Sequence, residues 1–362
     1  MVSWPLIFML CALSAIGFCM LFSAGNGNWE PWASRQLFRF CFCLVLMLFI
    51  ALTDIRVWLR YSYFLYFLGL ALLIAVELMG VIGMGAQRWI DLKFIQLQPS
   101  EIMKIALVLA LARYFHGISI DEVGLVRWLI FPIFMVLVPV ALVIRQPDLG
   151  TAIMLALSAV VVFFLAGVRI WKFVLTGILV LSALPVIWSL LHEYQKRRVL
   201  TFLNPESDPL GSGYHIIQSK IALGSGGFFG KGFLGGTQSH LSFLPEKQTD
   251  FIFTMFAEEF GMIGGLALLG LYLLIVAYGF FIALRVRNQF ARLAALGIVS
   301  VFFLYAFINI AMVMGLVPVV GVPLPLVSYG GTSMLSLMVG FGIVLSANVH
   351  REIQMDRSGD AL

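Results

Sequence analysis

The chain has 362 residues, 61% of them hydrophobic and only 11% charged, with a formal net charge of +5. Soluble domains carry about 25% charged residues, so a water-soluble globule of this composition lacks the polar surface to cover itself. A soluble multidomain enzyme and a disordered chain are both excluded. The basicity is mild and dispersed, with no basic run longer than Lys196-Arg197-Arg198, which argues against nucleic acid as a partner.

Apolar runs of about the length a bilayer requires occupy residues 5–24, 36–53, 57–79, 100–116, 126–144, 149–167, 171–191, 251–284, 293–315 and 329–349. The expected fold is an all-α integral membrane protein of about ten transmembrane helices, forming a single polytopic domain. No Ala-x-Ala cleavage site follows the first run, so it reads as a retained helix and not a signal peptide. Cys11, Cys19, Cys41 and Cys43 lie inside apolar runs and read as small hydrophobes. The run at 251–284 is too long for a bilayer unless it tilts or extends beyond it. Residues 192–249 form one long, Gly-rich and polar stretch that still carries Phe, Tyr, Leu and Ile, as an ordered loop packed on the membrane face would. Lys and Arg are denser in the short loops on the side of both termini, which places the termini inside and the long loop outside.

Ionisable residues at membrane depth are expensive and therefore informative. Glu101 and Lys104 stand three apart on one helix face. Two readings stay open for them: a salt bridge that holds the bundle, or a polar cavity in which Lys104 meets an anion. The segment from Gly85 to Ser100 alternates charge with large apolar residues, which suits an element lying in the interface with Trp89 at headgroup level. Arg88 and Lys93 would either meet lipid phosphates there or simply anchor the segment. Gln146-Pro147-Asp148-Leu149-Gly150-Thr151 reads as a tight turn, with Asp148 capping the next helix and Arg145 as its expected partner.

Gly224 to Gly232 imitates a phosphate loop, but Ser225 and Gly232 stand where that motif needs Gly and Ser or Thr; these glycines read instead as sites of close packing or unusual backbone angles. Asp250 enters the longest apolar run. Either Thr249 or Asp250 caps that helix, or Asp250 is a general base partly desolvated beside Phe251 and Phe253 and near Lys247 and Lys104. Glu258, about two turns further on, would support the same site. Pro323 and Pro325 stop any helix between residues 321 and 333, and broken backbone at this depth belongs in protein contacts or beside a cavity. Asn309 and Asn348 read as helix–helix contacts. The histidines show no ligand spacing, and neither His-Glu-x-x-His nor Gly-x-Ser-x-Gly occurs, so zinc hydrolysis and Ser-His-Asp chemistry are unsupported.

Six stretches, taken in order, resemble the SEDS family (shape, elongation, division and sporulation). They are Gln87-Arg88-Trp89-Ile90, Gln98-Pro99-Ser100-Glu101, the Gln146–Thr151 turn, Gly213-Tyr214-His215 with Gln218-Ser219, Leu244-Pro245-Glu246 with Thr249-Asp250-Phe251, and Pro-Leu-Pro followed by Ser328-Tyr329-Gly330-Gly331. Residues 243–251 resemble the elongation branch more than the division branch. The resemblance implies a ten-helix peptidoglycan glycosyltransferase. It would polymerise lipid II at the outer face of the cytoplasmic (inner) membrane and release undecaprenyl pyrophosphate. It implies that Asp250 matches the family's essential aspartate and that Glu101 and Lys104 match its cavity pair. It also implies a class B penicillin-binding protein as the transpeptidase partner. In that reading Arg35, Arg88 and Lys104 supply cations for phosphates, Asp250 supplies the base, and apolar grooves between helices take the polyprenyl tail. The resemblance fixes no cofactor; Mg or Mn is a candidate screen for the pyrophosphate, and the sequence shows no dedicated cage for either. The family's Ser-Tyr-Gly-Gly-Ser-Ser reads Ser-Tyr-Gly-Gly-Thr-Ser here, one hydroxyl for another. The competing reading is a lipid II flippase, which should string its charges along a path through the bilayer. Arg35, Arg88, Lys104 and Asp250 cluster instead at outer-face depth.

Overall fold

The computed structural model describes residues 2–83, 86–91, 96–190, 193–205, 212–240 and 246–356. In chain order its elements are α1 (Trp4–Ala24), α2 (Ala33–Leu52), α3 (Ile55–Met79), β1 (Val81–Gly83), β2 (Ala86–Asp91), β3 (Gln96–Leu97), α4 (Pro99–His116), α5 (Ile120–Val123), α6 (Val126–Arg145), α7 (Leu149–Leu165), α8 (Ile170–Leu190), α9 (Glu193–Leu203), α10 (Ser212–Ser225), α11 (Thr237–His240), α12 (Ile252–Leu284), α13 (Gln289–Val313) and α14 (Gly331–Val349). Among the described residues, seven helices are long and apolar enough to cross a membrane: α1, α2, α3, α6, α12, α13 and α14. The chain is an integral membrane protein. Helix α7 and most of α8 are shorter apolar helices, while α4 carries Glu101, Lys104 and Arg113 within its apolar sequence.

Local chemistry sets the helix starts. Proline stands in the first turn of α1 and α4, where a missing N–H costs nothing. The side chains of Asp54, Asp148 and Asn288 accept hydrogen bonds from the free N–H groups of Arg56, Thr151 and Ala291. The core lies along α4, α13 and α14; the latter two are 78% buried over their apolar stretch, against 28% for α3 and α6. Helices on the outside turn their largest side chains outward, such as Phe38, Phe42 and Phe49 on α2 and Ile178, Leu181 and Val186 on α8. In water such a surface would drive association; in a bilayer it faces hydrocarbon.

The all-α expectation needs one correction. Between α3 and α4 the chain forms a small antiparallel sheet in the order β1-β2-β3, with Val81 opposite Trp89 and Ile90 opposite Leu97. Val81, Ile82, Trp89 and Ile90 favour strands. The segment is also too short and too interrupted by Gly80, Gly83 and Gly85 to continue α3.

Helix α12 resolves the question of its length. Gly261 has φ +66° and ψ −165°, so the 33 residues are two helical halves joined at one non-helical residue. A side chain there would place its Cβ 2.3 Å from the Gly230 nitrogen. The glycine-rich segment fills the break: Met262 and Ile263 N–H donate to the Gly227 and Phe228 carbonyls, and Lys231 and Gly232 N–H donate to those of Glu258 and Glu259. Four backbone groups that the break would leave bare at membrane depth are thereby satisfied. The glycines of this segment serve backbone-to-backbone contact, not phosphate binding.

Candidate active site

The site is assembled from two clusters, one buried and one partly exposed. In the first, the Lys104 ammonium lies 2.6 Å from Glu101 Oε1, with the two side chains 3% and 5% exposed. The Tyr305 hydroxyl, from α13, sits 2.9 Å from both Glu101 oxygens, and Ser336, from α14, donates at 3.4 Å. Glu101 is therefore held by donors from three helices. Lys104 has one carboxylate beside it and the Tyr305 ring face 4.0 Å away, an arrangement that attracts a cation to the ring quadrupole. Asp148 is close enough for its charge to act on Lys104. Asp148 in turn pairs with Arg88 at 3.5 Å, and Arg88 also donates to the Pro147 carbonyl at 3.1 Å. The charges thus alternate in sign from the buried Glu101 to the partly exposed Arg88.

The second cluster presents Asp250. Residues 246–251 form a turn ahead of α12, closed by Thr249 N–H to the Glu246 carbonyl at 3.0 Å. Three successive carbonyls of this turn are each taken by a donor from elsewhere in the chain. Tyr329 N–H donates to Gln248 at 2.8 Å, the Ser328 hydroxyl to Thr249 at 2.5 Å and the Asn309 amide to Asp250 at 2.9 Å. The segment that supplies two of those donors is itself held. Gln36 donates to the Ser328 carbonyl at 3.0 Å, and Tyr272 donates to Pro325 at 2.6 Å. Gly321 has φ +73°, and a Cβ there would stand 3.4 Å from Asp250 Oδ2, so this glycine forms a wall beside the carboxylate.

Several expectations change. Phe251 occupies the cap position of α12 and no side chain caps that end, so Asp250 is not the helix cap. Asp148 does cap α7, but its ionic partner is Arg88; Arg145 instead lies 3.7 Å from Glu77 on the exposed surface. That pairing engages Arg88 within the protein. The partners described for Glu258, namely Lys231 at 2.8 Å, Thr237 and the Gln238 N–H, belong to the 231–238 segment and not to the turn that carries Asp250. Lys247 is buried in that turn, and burial pushes its ammonium pKa down. Arg35 is exposed in the first turn of α2. Lys93 lies outside the described residues. Tyr305, Asn309, Ser328 and Gln36 were not foreseen as parts of the site; each is an uncharged polar residue whose partner is distant in sequence.

A profile described as "Cell cycle protein" and covering FtsW, RodA and SpoVE matches residues 3–353. The chain belongs to that family, the SEDS proteins. It is 46% identical over 354 residues to the peptidoglycan glycosyltransferase MrdB of Escherichia coli K12, covering 96% of this chain and 94% of the relative. Its fold is similar to a chain from a peptidoglycan synthase complex studied for the coordination of polymerization and crosslinking, with a TM-score of 0.81, 35% identity and coverage of 97% and 98%. It is also similar to the rod shape-determining protein RodA of Thermus thermophilus, with a TM-score of 0.73, 29% identity and the same coverage.

Proposed function

We infer that this chain is a peptidoglycan glycosyltransferase of the elongation branch, that it polymerises lipid II, and that Asp250 is its general base. Full-length likeness to relatives named for that activity supports the enzyme class. The observation that carries the residue assignment is the turn at 248–250: three carbonyls are pinned by outside donors while the Asp250 side chain is not used as a helix cap. Asp250 takes the proton from a sugar hydroxyl of the acceptor as that oxygen attacks the anomeric carbon of the lipid-linked donor. The bond to the pyrophosphate oxygen breaks, and undecaprenyl pyrophosphate leaves. Lys104, desolvated and oriented by Glu101, stabilises the charge that develops on the leaving group.

In this reading α1–α4, α6–α8 and α12–α14 cross the inner membrane, both termini are cytoplasmic, and residues 192–249 lie outside. A class B penicillin-binding protein supplies the transpeptidase. Mg or Mn is a candidate screen for the pyrophosphate of the substrate. The test is polymerisation of purified lipid II with and without the partner, read as glycan length on a gel. A strand ladder is expected from the wild type and none from Asp250→Asn. Translocation of lipid II across vesicles without strand formation would favour a flippase.

A further inference from the structure

Tyr305 and Asn309 stand four residues apart on α13, and therefore share one face a single turn apart. Tyr305 holds Glu101, and so the buried ammonium paired with it. Asn309 holds the main chain of Asp250. One helix thus carries an anchor for each half of the site. We propose that α13 sets the separation between the Lys104 ammonium and the Asp250 carboxylate, with Tyr305 and Asn309 as positioning residues for glycosyl transfer. The proposal rests on Asp250 acting as the base.

The use Asn309 makes of its amide supports this. The residue is fully buried, and its amide nitrogen donates to two carbonyls, Asp250 at 2.9 Å and Val322 at 2.7 Å. Neither acceptor belongs to a helix. A residue that merely joined two helices would have no reason to choose them. One acceptor belongs to the turn that presents the base. The other is next to Gly321, the wall beside the base's carboxylate. The same amide therefore fixes both the carboxylate's main chain and the surface it lies against. The rod between the two anchors is stiff, because α13 is among the most buried helices of the bundle. Reacting groups in a glycosyl transfer must meet within a narrow range, and a misplacement of about 1 Å costs about 100-fold in rate.

The test uses the full chain with its transpeptidase partner, assayed for kcat and KM on lipid II across a pH series. Asn309→Leu removes both donors and should lower kcat by about 100-fold with little change in KM. It should also displace the acidic limb of the pH–kcat profile, because the surroundings of the carboxylate move with it. Tyr305→Phe keeps the ring over Lys104 but removes the link from α13 to Glu101, which then rests on Lys104 and Ser336, and should lower kcat as well. The double variant should lose less than the product of the single losses, since either change alone already spoils the separation. An Asn309→Leu enzyme with normal kcat overturns the proposal. So does a loss of activity matched by a loss of folded protein, with the pH profile unmoved. If the leucine variant does not fold, Asn309→Thr, which retains one donor, is read by the same criteria. Asp250→Asn runs alongside: an active Asp250→Asn removes the base assignment, whereas an inert one beside a fully active Asn309→Leu removes only the positioning role.

Discussion

Replacing each member of the buried pair separately should give losses of stability and of activity that do not run in parallel. Glu101→Ala leaves the Lys104 ammonium, 2% exposed in the wild type, with its acceptor gone and only the Tyr305 ring and the more distant charge of Asp148 to offset its burial. Breaking a buried ion pair in this way costs about 3–5 kcal/mol. Lys104→Met keeps the stem of the side chain and removes the charge. Glu101 then still accepts from Tyr305 and Ser336, so the loss should be nearer that of one charge-assisted hydrogen bond, about 1.5–3 kcal/mol. The centres of the two ranges differ by about 2 kcal/mol, which equilibrium unfolding in mixed micelles, followed by tryptophan fluorescence, resolves. Polymerisation should show no such difference. Lys104→Met removes the cation and should lower kcat by about 10²–10³-fold, and Glu101→Ala should be at least as inactive. A Lys104→Met protein that polymerises normally would show that the pair is only a structural bridge. Equal losses of stability would show that Tyr305 and Ser336 do not support Glu101 by themselves.

Asp250→Asn should fold and insert normally yet form no glycan strands; product at the wild-type rate on a gel refutes the base. Gly261→Ala forces a Cβ to within 2.3 Å of the Gly230 nitrogen at a positive φ. It should cost more than the roughly 1–3 kcal/mol of backbone strain alone, and a melting temperature equal to the wild type's would refute the docking of the glycine segment. Arg88→Ala leaves Asp148 without its ion pair but still capping α7, so a loss of about 1–3 kcal/mol is expected with KM for lipid II unchanged; a raised KM would return Arg88 to the phosphates.

The long helices were legible because a bilayer demands unbroken apolar runs, and each run predicts its helix within a few residues at either end. The charged pair of the candidate site was legible for a related reason: Glu101 and Lys104 are costly where they stand, whereas Asp250 stood out by its place at the start of the longest apolar run. The residues that hold them were not. Tyr305 reaches Glu101 across 204 residues, Gln36 reaches Ser328 across 292 and Asn309 reaches Asp250 across 59. A neutral polar side chain on an apolar helix gives no local sign of its partner. The small sheet was hidden because 81–97 is too short to show a period of two. The pairing of Asp148 with Arg88 over Arg145 depended on where that sheet places Arg88.

Gly261 leaves α12 dependent on a segment synthesised before it. Residues 226–232, which supply the missing hydrogen bonds, precede the helix in the chain and so leave the ribosome first. By the time the second half of the helix is threaded into lipid, the piece that completes it has already been made. The glycine segment is in that sense a built-in assembly factor, and a version of the chain with the two in reverse order would have to insert an open break. Circular permutants cut within residues 233–240 would test this, because they make the helix first and its complement last.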